Sequence, residues 1–210
     1  MDENPLKPEY FERYDEAPDR VFYQPVRLVK HIDDAACEAL AKFYGTILPE
    51  EGAILDLMSS WVSHLPGNGK YDQMVAMGMN VPELAANKQA TSGLICDLNQ
   101  TPVLPFQDAS FDACILAVSV QYLTQPEAVF REVGRVLKPG APFAVSYSNR
   151  MFPTKAVAIW QAIDDEERAK LINLYFERAE LFDMRTFHNI SPAQGQSDPL
   201  YVIKGHRKAE

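Results

Sequence analysis

Polar residues gather in this chain where apolar runs end, and their types suit a small-molecule site. Asp56, Met58, Ser59, Ser60 and Trp61 follow the run Ala53 to Leu57, and Asn80 follows Met74 to Met79. Asp97 and Leu98 follow Gly93 to Cys96; Ser119, Gln121 and Tyr122 close the run Ala113 to Val120. Ser148, Asn149 and Arg150 follow Pro142 to Tyr147. Carboxylates and amides at such ends can accept hydrogen bonds from hydroxyls and exocyclic amines. A guanidinium is suited to bidentate contact with an anion, so Asn149 and Arg150 are candidates for a substrate carboxylate or phosphate. If an acceptor must lose a proton, a general base is needed, and His31, His64, Tyr122 and Asp33 are candidates. Each has an ordinary structural alternative. His31 lies where a helix starts, Asn80 stands in a turn ahead of Pro82, and Arg150 can cap a helix or form a surface ion pair.

The elements that must position these groups follow from periodicity. Asp33 offers an N-cap, and Ala36, Leu40, Phe43, Tyr44 and Ile47 recur at helical spacing until Pro49. Short apolar strands are predicted at 53–57, 74–79, 93–96, 113–120 and 142–147. Helices are expected at 82–88 and 125–137, and another from Pro153 to about Ile163. Asp164 with Glu167 starts a further helix in the manner of a capping box. Leu181 to Phe187 and Leu200 to Lys204 read as two last strands flanking the turn-forming SPAQGQSDP. Alternating strands and helices imply an α/β protein with a parallel sheet covered on both faces. In such sheets ligands bind beyond the carboxyl ends of the strands, where the polar groups above collect.

Two segments are more specific, LPFQDASFD (Leu104 to Asp112) and RVLKPG (Arg135 to Gly140). Together they resemble the middle of the class I S-adenosylmethionine-dependent methyltransferases, in their type 11 branch. The resemblance covers roughly residues 40 to 148. It implies a Rossmann-like, mostly parallel seven-stranded sheet with helices on both faces and an antiparallel last strand. It implies S-adenosylmethionine as cofactor, and a cofactor site built from Asp56, Met58, Ser59, Ser60, Asn80, Asp97, Leu98 and Ser119. In the family an acid after the second strand holds the ribose, and Asn80 stands there. An acid after the third contacts the adenine amino group, which is the place of Asp97, with Leu98 beside it. Gln121 and Tyr122 fall where relatives place acceptor contacts. The chain departs from the family at the glycine-rich loop, where LDLMSSWVSHLP puts Met58, Ser60 and Val62 at the glycine positions. The expected activity is methyl transfer to an unidentified small-molecule acceptor; the altered loop makes a non-catalytic binding or regulatory relative the alternative. A nicotinamide oxidoreductase would need a Gly-rich fingerprint that is missing.

Length and composition narrow the partners. A chain of 210 residues suits one domain, read as 33–210, preceded by a proline- and aromatic-rich arm or lid over 1–32. A net charge of -9 disfavours nucleic acid as a partner. No apolar run is long enough to span a membrane. The polar, acidic start MDENPLKPEY does not read as a targeting peptide. Cys37, Cys96 and Cys114 are widely spaced in apolar segments. They read as reduced buried thiols of a cytoplasmic protein, without zinc-type spacing, and no metal is expected.

Overall fold

The structure is a computed structural model that describes residues 6–67, 69–193 and 195–209. Its helices are α1 (Asp19–Phe22), α2 (Asp34–Ile47), α3 (Val81–Ala86), α4 (Pro126–Val136), α5 (Ala158–Ala162) and α6 (Asp165–Ala179). Its strands are β1 (Ala53–Leu57), β2 (Gln73–Gly78), β3 (Ser92–Ile95), β4 (Ala113–Ala117), β5 (Pro142–Tyr147), β6 (Phe182–Asn189) and β7 (Tyr201–Arg207). They form one seven-stranded sheet in the order β3-β2-β1-β4-β5-β7-β6. The pairs from β3 through β5 are parallel, and β7 runs antiparallel to both β5 and β6. This is the expected α/β class, antiparallel last strand included.

The sheet is covered on both faces. On one face, Val129, Phe130 and Val133 of α4 and Leu171, Ile172, Tyr175 and Phe176 of α6 pack on Leu55, Cys114, Phe143 and Val145. On the other, Ala36, Cys37, Leu40 and Tyr44 of α2 and Leu84 of α3 pack on Ile54, Met74, Ala76 and Ile115. β4 and β5 are buried almost throughout, which explains their unbroken apolar sequence. Asp33 caps α2 by accepting from Ala36 N, and Asp164 with Glu167 forms a complete capping box on α6. Among the described residues no helix is long and apolar enough to cross a membrane.

The two specific segments clamp each other. The Arg135 guanidinium donates to the carbonyls of Leu104 and Phe106 and to the carboxylates of Asp108 and Glu132. Glu132 accepts from Leu104 N, and Asp112 accepts from Ala53 N and from the Lys138 ammonium. These motifs therefore tie α4 to the entry of β4 and do not line the cavity described below.

Some boundaries differ from expectation. β4 ends at Ala117 because Val118 turns into the left-handed region, with φ 48°. The helix expected from Pro153 begins only at Ala158. Ahead of it, Val157 N donates to Gln121 O and Ala158 N to Glu12 O, so these amides bond outward and not along a helix. Parallel strands are usually joined through a helix, but the described part of 58–72, between β1 and β2, contains none. Gly69 N donates to Pro66 O, a turn ahead of β2 as anticipated for Gly67 and Gly69.

Candidate ligand-binding site

The carboxyl ends of the strands enclose a cavity of about 510 Å³. Its floor comes from Asp56 and Met58 after β1, Gly78 and Asn80 at β2, Asp97 and Leu98 after β3, and Val118 and Ser119 after β4. Asn149, Arg150 and Phe152, following β5, form one side. The roof is the N-terminal arm, through Asp19, Tyr23, Arg27 and the run Val29 to Ile32.

The loop after β1 lies flat against the next strand. Ser59 N donates to Met77 O at 2.8 Å. Gly78 permits this, because a Cβ there would sit 2.2 Å from the Ser59 carbonyl oxygen. Met58 and His64, in the same loop, have φ of 52° and 55°, and Val118 opposite has 48°. Positive φ is costly for side chains of this size, and such strain concentrates at binding sites. All three residues line the cavity.

Glu83 joins loop to arm. Its carboxylate accepts from Ser60 Oγ at 2.6 Å and from Arg27 N at 2.7 Å. Trp61 Nε1 donates to Val29 O at 3.0 Å, a second tie between the same segments. Asn80 adds a third, donating to Tyr23 O and Gln24 O while its Oδ1 caps α3 through Glu83 N. Its side chain is thus occupied in holding the arm and capping α3, which goes beyond a turn residue ahead of Pro82. Sequence reasoning missed Glu83 altogether. The only signal was its place in the first turn of α3, three residues beyond Asn80.

The other anticipated residues divide. Asp97 Oδ1 accepts from Asn99 N and Gln100 N, leaving its second oxygen uncommitted among the described residues. Ser119 is buried at the cavity wall, and its hydroxyl has no partner among the described residues. Tyr122 lines the cavity, stacks on Phe152 and accepts from Phe152 N at 2.8 Å. Gln121 is a correction, since it is buried away from the lining with its amide nitrogen donating to Val118 O. Asp33 is another. It caps α2 and also accepts from Asp198 N and Ser197 Oγ, and backbone hydrogen bonds hold its pKa below the usual value. Such a carboxylate is a poor base. Arg150 lines the rim but is 62% exposed and faces Asp198 at 3.6 Å. Trp160 is core, whereas Trp61 is in the cavity. Cys37 and Cys114 are buried free thiols, but Cys96 is only half-buried and lines the cavity.

His31 and His64 both face the cavity, and neither has a hydrogen-bond partner among the described residues. Desolvation lowers the pKa of His31, and burial takes that of His64 to about 4, helped by the nearby Lys30 and His31. Both rings are therefore neutral near pH 7, with a lone pair able to accept a proton.

Asp56 is the inverse case. Burial raises its pKa to about 7, and hydrogen bonds from Ser59 and Ser63 offset only part of that. Since the folded value lies above the ordinary 3.8, folding takes up a proton in between. The stabilisation is complete below the unfolded pKa and is lost as pH rises through the folded one. Asp56→Asn should flatten the fall of the urea midpoint between about pH 4 and about pH 8. A slope as steep as in the parent would assign it to another group.

Comparison with known proteins places this architecture. Residues 61–145 match the type 11 family model described as a methyltransferase domain. A stretch of 62 residues is 39% identical to the biotin biosynthesis bifunctional protein BioHC of Teredinibacter turnerae, covering 30% of this chain and 11% of that protein. The match thus spans about a tenth of that relative. A possible histamine N-methyltransferase from Thermotoga maritima superimposes with TM-score 0.59 and 17% identity, over 83% of this chain and 89% of the other. The [4+2]-cyclase SpnF superimposes with TM-score 0.63 and 13% identity, over 89% and 90%. At these identities the likeness is one of fold.

Proposed function

We infer that the chain is a class I S-adenosylmethionine-dependent methyltransferase of the type 11 branch, that it binds S-adenosylmethionine and that it methylates a small molecule. The observation that carries the reading is the roofed cavity at the switch end of the sheet. It holds a free carboxylate oxygen on Asp97 and a buried, unpartnered hydroxyl on Ser119. A buried polar atom left without a partner costs free energy unless a ligand satisfies it. The cavity volume is also in the range of small-molecule sites.

Asp97 and the backbone beside Leu98 are suited to a purine amino group and ring. Ser119, Asp56 and the Met58–Ser60 backbone are suited to the amino-acid end. When bound, the cofactor supplies an activated methyl group on a sulfonium. The protein's own work is positioning and, for a protic acceptor, removal of a proton. We assign that second task to His31, because His64, whose pKa burial takes to about 4, is as poor a base as Asp33.

Calorimetric titration with S-adenosylmethionine and S-adenosylhomocysteine tests the reading, with micromolar affinity expected. A cooperatively folded protein that binds neither would sink it. Asp97→Asn keeps an oxygen for the Asn99 and Gln100 amides but loses the charge. It should weaken S-adenosylhomocysteine binding about tenfold, the scale of one charge-assisted hydrogen bond. Unchanged affinity would remove Asp97 from the site.

One observation favours a different reading. Among the described residues the first crossover has no helix, its loop has no glycine where the family has three, and Ser59 of the loop is bonded to β2. A binding or regulatory protein on the same fold would show this too. Turnover with any acceptor would exclude it.

A further inference from the structure

The arm carries an arginine without a counter-charge. The Arg27 guanidinium lines the cavity and donates to two backbone carbonyls, Phe22 O at 2.9 Å and Pro25 O at 3.1 Å. It lies over the Phe22 ring at 4.8 Å and near the Phe152 ring at 5.6 Å. Among the described residues no carboxylate lies within 4.0 Å of it. The other cavity cations differ. Lys30 is paired with Asp34 at 2.6 Å, and Arg150 faces Asp198. Of the acids of the cavity, Asp19 is engaged by Arg13 and Lys155, Glu83 by Ser60 and the Arg27 amide, and Asp56 by Ser59, while Asp97 keeps one oxygen free and forms no ion pair with Arg27.

A guanidinium held by carbonyls and ring faces is oriented in advance, and its remaining N–H groups are matched to a planar or tetrahedral oxyanion. Beside it, Phe152 is flanked by Tyr122 and by His31, whose ring centroid is 5.1 Å away. We propose that Arg27 anchors an anionic acceptor in this cavity, its carboxylate or phosphate on the guanidinium and its body against the Phe152 wall. The proposal rests on reading the cavity as the acceptor pocket. It moves anion recognition from Arg150, where residue type alone suggested it, to the arm.

The test uses benzoate and phenyl phosphate as probes, with benzamide as the neutral counterpart, read by fluorescence of Trp61. That indole lines the cavity, whereas Trp160 is buried in the core. At least one anion should bind about tenfold or more tightly than benzamide, and which one binds tighter identifies the head group. Arg27→Gln should abolish that preference, and Arg150→Gln should retain it. Absence of binding by both anions, equal binding of benzamide, or a preference that survives in Arg27→Gln would overturn the proposal. If Arg27→Gln releases the arm, Arg27→Lys decides, since it keeps the charge. It should retain the anion preference at lower affinity, and its loss would count against the anchor. S-adenosylhomocysteine titration of the same samples reports separately on the cofactor reading.

Discussion

Asp19→Ala should cost about 3–5 kcal/mol, the scale for breaking a buried ion pair by removing one partner. Asp19 is 4% exposed and takes both nitrogen-borne contacts of Arg13 Nη1 at 2.7 and 2.8 Å. The Lys155 ammonium is 3.1 Å away on a side chain that is 0% exposed, and Asn99 donates at 2.8 Å. Lys155 also donates to the carbonyls of Asp15 and Ala17. Removing Asp19 leaves the buried Lys155 with only the part-exposed Asp15 carboxylate at 3.2 Å and Arg13 with only the exposed Glu16 at 3.7 Å. The arm should release, giving faster amide exchange over residues 6–32 and a lower unfolding midpoint. Lys155→Met in the same chain should recover part of the loss, because the stranded charge is then gone. A midpoint within a degree or so of the parent would show that the arm is held elsewhere. The lock is also acid-sensitive. Burial alone would raise the Asp19 pKa, but the hydrogen bonds from Arg13, Asn99 and Lys155 bring the net shift below the ordinary value. Its stabilisation is present above the unfolded pKa and is lost as pH falls through the folded one.

Gly78→Ala is expected to be nearly as damaging, for a steric reason. The new Cβ would lie 2.2 Å from the Ser59 carbonyl oxygen and 3.2 Å from Leu84 Cδ2. Backbone cannot yield as a flexible side chain can, so the loop after β1 must lift from β2 and break the Ser59 N to Met77 O bond. Overpacking of this kind costs about 1–3 kcal/mol. The larger consequence is for binding, because the lifted loop carries Met58, Ser59 and Ser60 into or away from the cavity. S-adenosylhomocysteine affinity should fall at least about tenfold while the far-ultraviolet spectrum stays native. Unchanged affinity would mean that the cofactor half of the cavity does not depend on this loop.

Between them these variants separate the two walls of the site, one built from the arm and one from the first crossover. Both walls are tied to Glu83, through Arg27 N and Ser60 Oγ. The roof and the loop are therefore not independent, and a variant of Glu83 would disturb both.

Much of the fold was legible in the sequence because it depends on short-range signals. Apolar runs of strand length, the N-cap at Asp33, the capping box at Asp164 and the proline and glycine after Leu137 act within a few residues. The polar residues that end each strand were legible too, since a parallel sheet places strand ends on one rim. What the sequence could not supply was pairing at long range. Lys155 lies where a helix is expected from Pro153, and it is fully buried because Asp15 and Asp19, far back in the chain, come to it. The same capture delays the helix expected from Pro153 until Ala158, since neighbouring amides bond to Glu12 and Gln121. Glu83, Trp61 and Asn80 acquire their roles only when the arm arrives at 27, 29 and 23. The sequence by itself determined the sheet, its helices and the rim where a ligand belongs, because local periodicity and chain topology suffice for these. The tertiary structure alone decided which residues of the arm line the cavity, that the loop after β1 bonds to β2, and that Arg27 faces the cavity unpaired. Each of these depends on which distant group reaches a buried charge or an open backbone amide first, and no local pattern encodes that.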